Sequence, residues 1–228
     1  MFTPEEWTAI LLSLKVGSVA TLLALPPAVA VAWLLARRDF PGKALVDGLV
    51  HLPLVLPPVV TGWALLVLFG RRGVLGAFLA DYLGIVFSFR WTGAALAAGV
   101  MGFPLMVRAV RLAIEAIDPR VEQAAATLGA PPLWVFATVT LPLALRGIAA
   151  GAVLAFAKAL GEFGATITFV SNIPGQTQTI PAAIYTYTQT PGGDLGALKL
   201  SLVAVVIALT ALVVSEVSVR RARLGGVE

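Results

Sequence analysis

Residues 118–142 read DPRVEQAAATLGAPPLWVFATVTLP and separate two long apolar stretches of the chain. The first half of this segment has the punctuation of a short helix. Asp118 is a good N-cap, and Pro119 suits the first helical position because its fixed φ is already helical. Gly129 suits the left-handed conformation that ends a helix, and two prolines follow it. We therefore predict a helix of about three turns over 119–128.

This helix belongs to a longer connection, residues 114–146, which is neither apolar enough to cross a membrane nor simple enough to be a linker. A second helical stretch is predicted over 133–139, ending at Leu141-Pro142 before the next apolar stretch. Connections of this length are usually functional or disordered, and the helix signals argue against disorder. A short helix held between two spans suits a mechanical contact with a partner protein.

The composition places the rest of the chain in a lipid bilayer. Of its 228 residues, 59% are hydrophobic and 12% are charged, whereas soluble domains have about 45–50% and about 25%. A bilayer core takes roughly 20 apolar residues per helix. The sequence predicts an all-α integral membrane protein, a single transmembrane domain over 1–228, with about five transmembrane helices near 8–36, 44–70, 91–113, 147–170 and 195–219.

Basic residues indicate the orientation, because they concentrate on the cytoplasmic side of membrane proteins. Residues 71, 72 and 90 are the arginines of one side, and ten of the 16 lysines and arginines fall on the other. We expect a multi-pass protein of the inner or plasma membrane with its N-terminus outside and its C-terminus and residues 114–146 in the cytoplasm. The opening MFTPEEW lacks the basic region of a cleaved signal peptide, so the first span is expected to stay in the mature protein. The ten are Arg37, Arg38, Lys43, Arg108, Arg111, Arg120, Arg146, Arg220, Arg221 and Arg223.

Two features inside the spans depart from plain helix. Pro53, Pro57 and Pro58 interrupt the second span, which is then either a kinked structural helix or a helix bent around a pathway or gate. Lys158 and Glu162 stand four residues apart, which predicts that they share one helix face at membrane depth. Mutual neutralisation and a pathway-lining or gating pair both fit this spacing.

Several kinds of chemistry are excluded. The chain has no cysteine and one histidine, so we expect no thiol nucleophile, no disulfide framework and no resident metal. It has no phosphate-binding loop; its nearest fragment, Gly42-Lys43-Ala44, has Arg37 where the first glycine should stand. We expect no catalytic residues and no cofactor on this chain, so energy must come from a partner. Lipid and topology explain the basic residues, so no nucleic-acid partner is expected.

The connection also resembles the coupling motif of ABC importer permeases, which reads Glu-Ala-Ala, three residues, Gly, nine residues, Ile, one residue, Leu-Pro. Every spacing is kept here, with two substitutions, glutamine for glutamate and valine for isoleucine. The resemblance implies a helix that contacts a cytoplasmic ATPase, and it leaves open whether Gln123 or the preceding Glu122 makes the contact. The matching residues are Gln123, Ala124, Ala125, Gly129, Val139, Leu141 and Pro142.

Three further stretches narrow the resemblance to the molybdate permeases of bacterial ABC transport systems: HLPLVLPPVV at 51–60, FPLMVRAVRLAIE at 103–115 and LGEFGATITFVSNIPG at 160–175. It implies the type I ABC importer permease fold, a homodimer, two cytoplasmic ATPase subunits that bind ATP and magnesium, and an external molybdate-binding protein. The cargo would be molybdate and also tungstate. The candidate pathway or gate residues are Pro57, Pro58, Lys158, Glu162, Phe163, Gly164 and Thr166.

Three alternatives remain open. Sulfate permeases share the Gly-Glu-Phe-Gly core in looser form, and sulfate or thiosulfate is a similar tetrahedral dianion. A secondary anion transporter or channel acting alone would need a charge relay or an inverted repeat, neither of which is evident. An intramembrane enzyme would need clustered acids or histidines, which the sequence does not offer.

Overall fold

The computed structural model describes residues 2–224, with side chains through residue 213; Met1 and residues 225–228 of the predicted domain, and the side chains of the three tail arginines, lie outside the described residues. Every regular element in the described part is helical. The helices are α1 Pro4–Arg37, α2 Lys43–Val55, α3 Pro58–Phe69, α4 Val74–Leu83, α5 Trp91–Glu115, α6 Pro119–Thr127, α7 Pro132–Val135, α8 Leu141–Leu160, α9 Gly164–Val170, α10 Ile180–Thr188 and α11 Asp194–Leu224, with a π-helical turn at Phe136–Thr140 between α7 and α8.

Four helical stretches in the described residues are long and apolar enough to cross a membrane: α1, α5, Pro132–Leu160 and Asp194–Val213. The bent pair α2 and α3 makes a fifth if the two helices form one span. The prediction of an all-α membrane protein with about five spans is confirmed. Nothing in the structure fixes the side on which each terminus lies, so the orientation stays a prediction.

The first span is longer than the membrane requires. α1 has 34 residues, which at 1.5 Å per residue is about 51 Å. Lys15 and Arg37 are about 33 Å apart along it, close to the bilayer core of about 30 Å. The Lys15 ammonium lies 3.7 Å from the ring centroid of Trp91, the first residue of α5. Cations and tryptophans of this kind mark membrane interfaces, so we infer that residues 4–14 extend beyond the bilayer.

The second predicted span, 44–70, is broken. α2 ends at Val55, α3 begins at Pro58, and the two helices are bent by 114°. Two adjacent prolines cause the break, because Pro58 has no N–H for the carbonyl one turn back and its ring restricts Pro57 to extended backbone. The bend expected at these prolines is therefore present, but as a complete break.

The fourth predicted span, 147–170, is wrong at both ends. The helix already runs from Pro132, because the π-helical turn carries it through Leu141 and Pro142, where the sequence predicted an end. A π-helical turn is wider than an α-helical one, and this width accommodates a proline that would clash with the carbonyl four residues back. The helix then ends at Leu160, and α9 is a separate seven-residue helix after a break at 161–163.

The core forms where α1, α5 and α8 pack on one another through small residues. A Cβ on Gly147 would collide with Ala113, and one on Gly102 would lie 3.2 Å from the carbonyl oxygen of Ala155. Close backbone approach through small residues is how membrane helices gain packing energy. At one end of this group α9 packs against α5, and at the other end α5 leads through a short turn into α6.

Candidate coupling surface and translocation path

The predicted coupling helix is present as α6 over 119–127, one residue shorter than expected. The Asp118 carboxylate accepts a hydrogen bond of 2.9 Å from the Arg120 amide, which caps the helix. Gly129 adopts φ +86°, and the Ala130 amide bonds back to the Ala125 carbonyl at 3.3 Å. The local signals in the sequence therefore formed the structure they predicted.

α6 buries none of its residues. Beyond its C-terminal end, Leu128 is 89% exposed and Trp134 is 63% exposed, with Leu133 exposed between them. Large apolar side chains this open beside a short helix form a patch suited to a protein partner.

Glu122 and Gln123 have different surroundings. The Gln123 side chain is exposed. The Glu122 carboxylate lies 2.9 Å from the Arg37 guanidinium at the end of α1 and accepts a 2.6 Å hydrogen bond from the Thr140 hydroxyl. Glu122 is thus engaged within the chain, and Gln123 is the one of the two that is open to a partner.

The other motif residues occupy two places. Ala124 is exposed and Ala125 half-buried on α6, and Gly129 follows it. Val139 lies in the π-helical turn, with Leu141 and Pro142 at the start of α8. The motif therefore spans both the exposed helix and the base of the adjoining membrane helix.

Lys158 and Glu162 form an ion pair of 2.8 Å between Nζ and Oε2, with the two side chains 30% and 1% exposed. The sequence predicted that they share one helix face, and this is wrong, because Glu162 lies beyond the end of α8. Its second carboxylate oxygen accepts a 2.9 Å hydrogen bond from the Ala165 amide in the first turn of α9. Glu162 therefore joins the end of one helix to the start of the next.

The contacts of α8 with α1 show where this pair lies along the spans. A Cβ on Gly17 would lie 3.7 Å from a methyl group of Leu160, so the end of α8 lies level with residue 17 of α1. That level is only two residues from Lys15 and about 30 Å from Arg37. The pair thus lies near the Lys15 end of α1.

The two broken segments meet directly. A Cβ on Gly164, the first residue of α9, would lie 2.8 Å from Pro58, the first residue of α3. One turn further on, a Cβ on Gly62 would lie 2.5 Å from the Ala165 carbonyl oxygen. The predicted pathway residues Pro58 and Gly164 are thus brought together, although they lie about a hundred residues apart in the sequence.

Pro57, Phe163 and Thr166 complete the predicted set. Pro57 precedes α3 at the break. The Phe163 ring packs against Tyr185 of α10 with 5.2 Å between centroids. The buried Thr166 hydroxyl donates to the Phe163 carbonyl at 2.9 Å, so it stabilises the turn and is not directed at a ligand.

Sequence reasoning missed Arg37 and Thr140 as members of these sites. Arg37 was used mainly as an indicator of orientation, and Thr140 is the unspecified position between Val139 and Leu141 in the motif. No local signal links either residue to Glu122, because the contacts cross 85 and 18 positions of sequence, respectively.

Comparison with known proteins agrees with this geometry. Residues 28–223 match a family described as "Binding-protein-dependent transport system inner membrane component". The molybdenum transport system permease protein ModB of Escherichia coli (strain K12) is 61% identical over 95% of this chain and 94% of its own length. The sulfate transport system permease protein CysT of Salmonella typhimurium is 37% identical over 80% of this chain and 65% of its own length.

A solved structure shares the fold at low sequence identity. The crystal structure of a bacterial ABC transporter involved in the import of the polysaccharide alginate matches with a TM-score of 0.75 and 19% identity, over 96% of this chain and 80% of that one. The predicted type I ABC importer permease fold is confirmed. The chain belongs to the family of inner membrane components of binding-protein-dependent transport systems.

Proposed function

We propose that this chain is the membrane permease of an ATP-driven importer of molybdate and of the related dianion tungstate. The observation that supports molybdate as the cargo is the 61% identity, over 95% of the chain, to a molybdenum transport system permease. The sulfate permease reaches only 37%. Because molybdate, tungstate and sulfate are all tetrahedral dianions, the extent of similarity supports molybdate where hydrogen-bonding chemistry alone would not.

The proposed assembly contains two copies of this chain, two cytoplasmic ATPase subunits and an extracytoplasmic molybdate-binding protein. The family description, binding-protein-dependent transport, supports the last of these. Apolar side chains exposed at the broken second span, such as Val55 and Trp63, support a second copy or lipid against that face. ATP and magnesium bind to the ATPase, and this chain, as one transmembrane domain, carries no cofactor.

In the proposed mechanism, α6 is the contact with the ATPase. Ala124 and Ala125 allow close approach, Gln123 offers a hydrogen bond, and the apolar patch at Leu128 and Trp134 supplies buried area. ATP binding closes the ATPase dimer and displaces α6, and the displacement shifts the population of the two access states of the spans. This scheme requires α6 in the cytoplasm and the N-terminus outside, as the basic residues predict.

The proposed path runs past the contact of α3 with α9, with the Lys158–Glu162 pair as a gate beside it. A buried carboxylate repels a dianion, so Glu162 is not a ligand for the cargo. Its pairing with Lys158 at 2.8 Å neutralises that repulsion. Hinge motion is expected at the two helix breaks, because broken helices line cavities in transporters.

The test is uptake by liposomes that contain this permease with its own ATPase, with binding protein outside and ATP inside. We expect radioactive molybdate to accumulate only when ATP and the binding protein are both present, tungstate to compete, and a tenfold excess of sulfate to leave uptake unchanged. Competition by sulfate as strong as that by tungstate would contradict the assignment of molybdate as the cargo. Molybdate flux through the permease alone, driven by an ion gradient, would contradict ATP-driven transport.

A further inference from the structure

Glu122 has both carboxylate oxygens engaged inside the chain although it lies on the exposed helix α6. One oxygen lies 2.9 Å from Arg37 Nε, with the two side chains only 17% and 15% exposed. The other accepts the 2.6 Å hydrogen bond from Thr140, which is 1% exposed. The ion pair and the hydrogen bond together hold this carboxylate in one orientation, directed into the chain.

The two partners of this carboxylate lie at the ends of different spans. Arg37 is the last residue of α1, and Thr140 is the last residue before α8. The Arg37 guanidinium also donates a 3.1 Å hydrogen bond to the Ile117 carbonyl in the turn between α5 and α6. One cluster of polar contacts therefore joins the coupling helix to the ends of α1, α5 and α8.

Little else fixes α6 laterally. The helix has nine residues and buries none of them, and helices this short are marginal without tertiary contacts. Its Asp118 cap is local and does not reach another span. Its packing is mainly against α7 and the π-helical turn.

We propose that Glu122 is a positioning residue: it ties α6 to α1 and α8 through Arg37 and Thr140, so that displacement of α6 by the ATPase moves these spans together. The proposal rests on the proposed function, since it assumes that α6 receives the ATPase. It assigns the ATPase contact to the exposed face of α6, which carries Gln123, and the internal tie to Glu122.

The experiment compares Glu122→Gln with wild type in the full liposome system with ATPase and loaded binding protein. Glutamine keeps the shape and loses the charge that holds Arg37. We expect the molybdate imported per ATP hydrolysed to fall about tenfold, within the usual range of coupling between sites. The amount of bound ATPase and the KM for ATP stay at their wild-type values, which would not hold if Glu122 contacted the ATPase.

The matched control is Glu115→Gln. Glu115 lies at the same end of the spans and pairs with Arg111 at 2.7 Å within α5, so it also forms an arginine–carboxylate ion pair, but one between two residues of the same helix. We expect its transport ratio to match wild type. The double variant Arg37→Glu/Glu122→Arg restores an ion pair of opposite polarity but not the hydrogen bonds to Ile117 and from Thr140, so it is expected to recover part of the ratio that Arg37→Glu loses.

Three results would overturn the proposal: a wild-type ratio in Glu122→Gln, an equal fall in Glu115→Gln, or loss of bound ATPase in Glu122→Gln. Should Glu122→Gln fail to accumulate, Thr140→Val decides, because it removes one hydrogen bond and leaves the ion pair. We expect that variant to lose about half of the ratio or more, and an unchanged ratio counts against the tie. Failure of the proposed function is distinct, because the wild-type complex would then show no ATP-dependent uptake.

Discussion

Gly62 on α3 lies at the closest approach of the two broken segments and permits a quantitative test of their contact. A Cβ on Gly62 would lie 2.5 Å from the Ala165 carbonyl oxygen and 2.9 Å from both the Ala165 Cα and the Thr168 Cβ. An ordinary contact begins at about 3.4 Å, so α9 would have to withdraw by about 0.9 Å. The obstructing atoms include backbone, which cannot rotate away as a side-chain end can.

Overpacking of this kind costs about 1–3 kcal/mol. Alanine also gains about 1 kcal/mol of helix propensity over glycine, which partly hides that cost. Gly99→Ala is the matched control, because Gly99 also lies inside a membrane helix and its new Cβ would meet nothing closer than 3.6 Å. The propensity gain is common to both variants, so their difference in stability isolates the steric cost.

We expect Gly62→Ala to unfold about 2–12 °C below Gly99→Ala, at about 2–4 °C for each kcal/mol. The assay is the fraction of purified permease that stays monodisperse after heating, followed by molybdate uptake in the liposome system. Uptake should fall in Gly62→Ala and remain normal in Gly99→Ala. Equal midpoints and equal uptake in the two variants would refute the close contact of α3 with α9.

Three further predictions concern the coupling surface and the ion pair. Ala125→Arg places a long charged side chain on α6, so ATP-driven uptake should be lost while the permease still folds in the membrane; normal uptake with the ATPase bound would count heavily against the role of α6. Leu128→Ser should leave thermal stability unchanged, since this side chain is 89% exposed, but it should weaken ATPase binding in a pull-down several-fold. Unaltered binding would show that the apolar patch does not contact the ATPase. Glu162→Gln leaves the Lys158 ammonium without its counter-charge and should lower the free energy of unfolding by about 1–3 kcal/mol, which is less than for a fully buried pair because Lys158 is 30% exposed. The double variant Lys158→Met/Glu162→Gln should melt at a higher temperature than Glu162→Gln. A lower melting temperature of the double variant would show that the pair is not stabilising.

Local signals in the sequence were sufficient for α6. Its cap at Asp118, its proline at the first position and its glycine at the end act within a few residues, so each could be read without knowledge of the fold. The bend at Pro57 and Pro58 could be predicted for the same reason, although its angle of 114° could not.

The sequence did not predict the end of α8. A glycine such as Gly161 is tolerated inside membrane helices, so it does not by itself predict a break. The apolar run continues through Gly161 into α9, so the sequence predicted one span where the structure has two separate helices. The role of Glu162 as a bridge between them follows from backbone geometry that residue spacing does not contain.

The tie at Glu122 was hidden for a different reason. It depends on the packing of α1 against α5 and α8, which brings Arg37 to the base of α8. Periodicity and spacing report contacts a few residues apart and carry no information on a pair separated by 85 positions. The choice between Glu122 and Gln123 therefore required the fold.

The most direct test of the central claim, that α6 transmits the ATPase movement, uses the absence of cysteine from the chain. Leu128→Cys introduces a single thiol at the apolar patch, and Leu195→Cys introduces one at the start of α11, where it is also exposed. In the assembled transporter we predict that a short thiol cross-linker joins residue 128, and not residue 195, to the ATPase and that this cross-link stops molybdate uptake. Full ATP-driven uptake by a complex in which residue 128 never cross-links to the ATPase would contradict the claim.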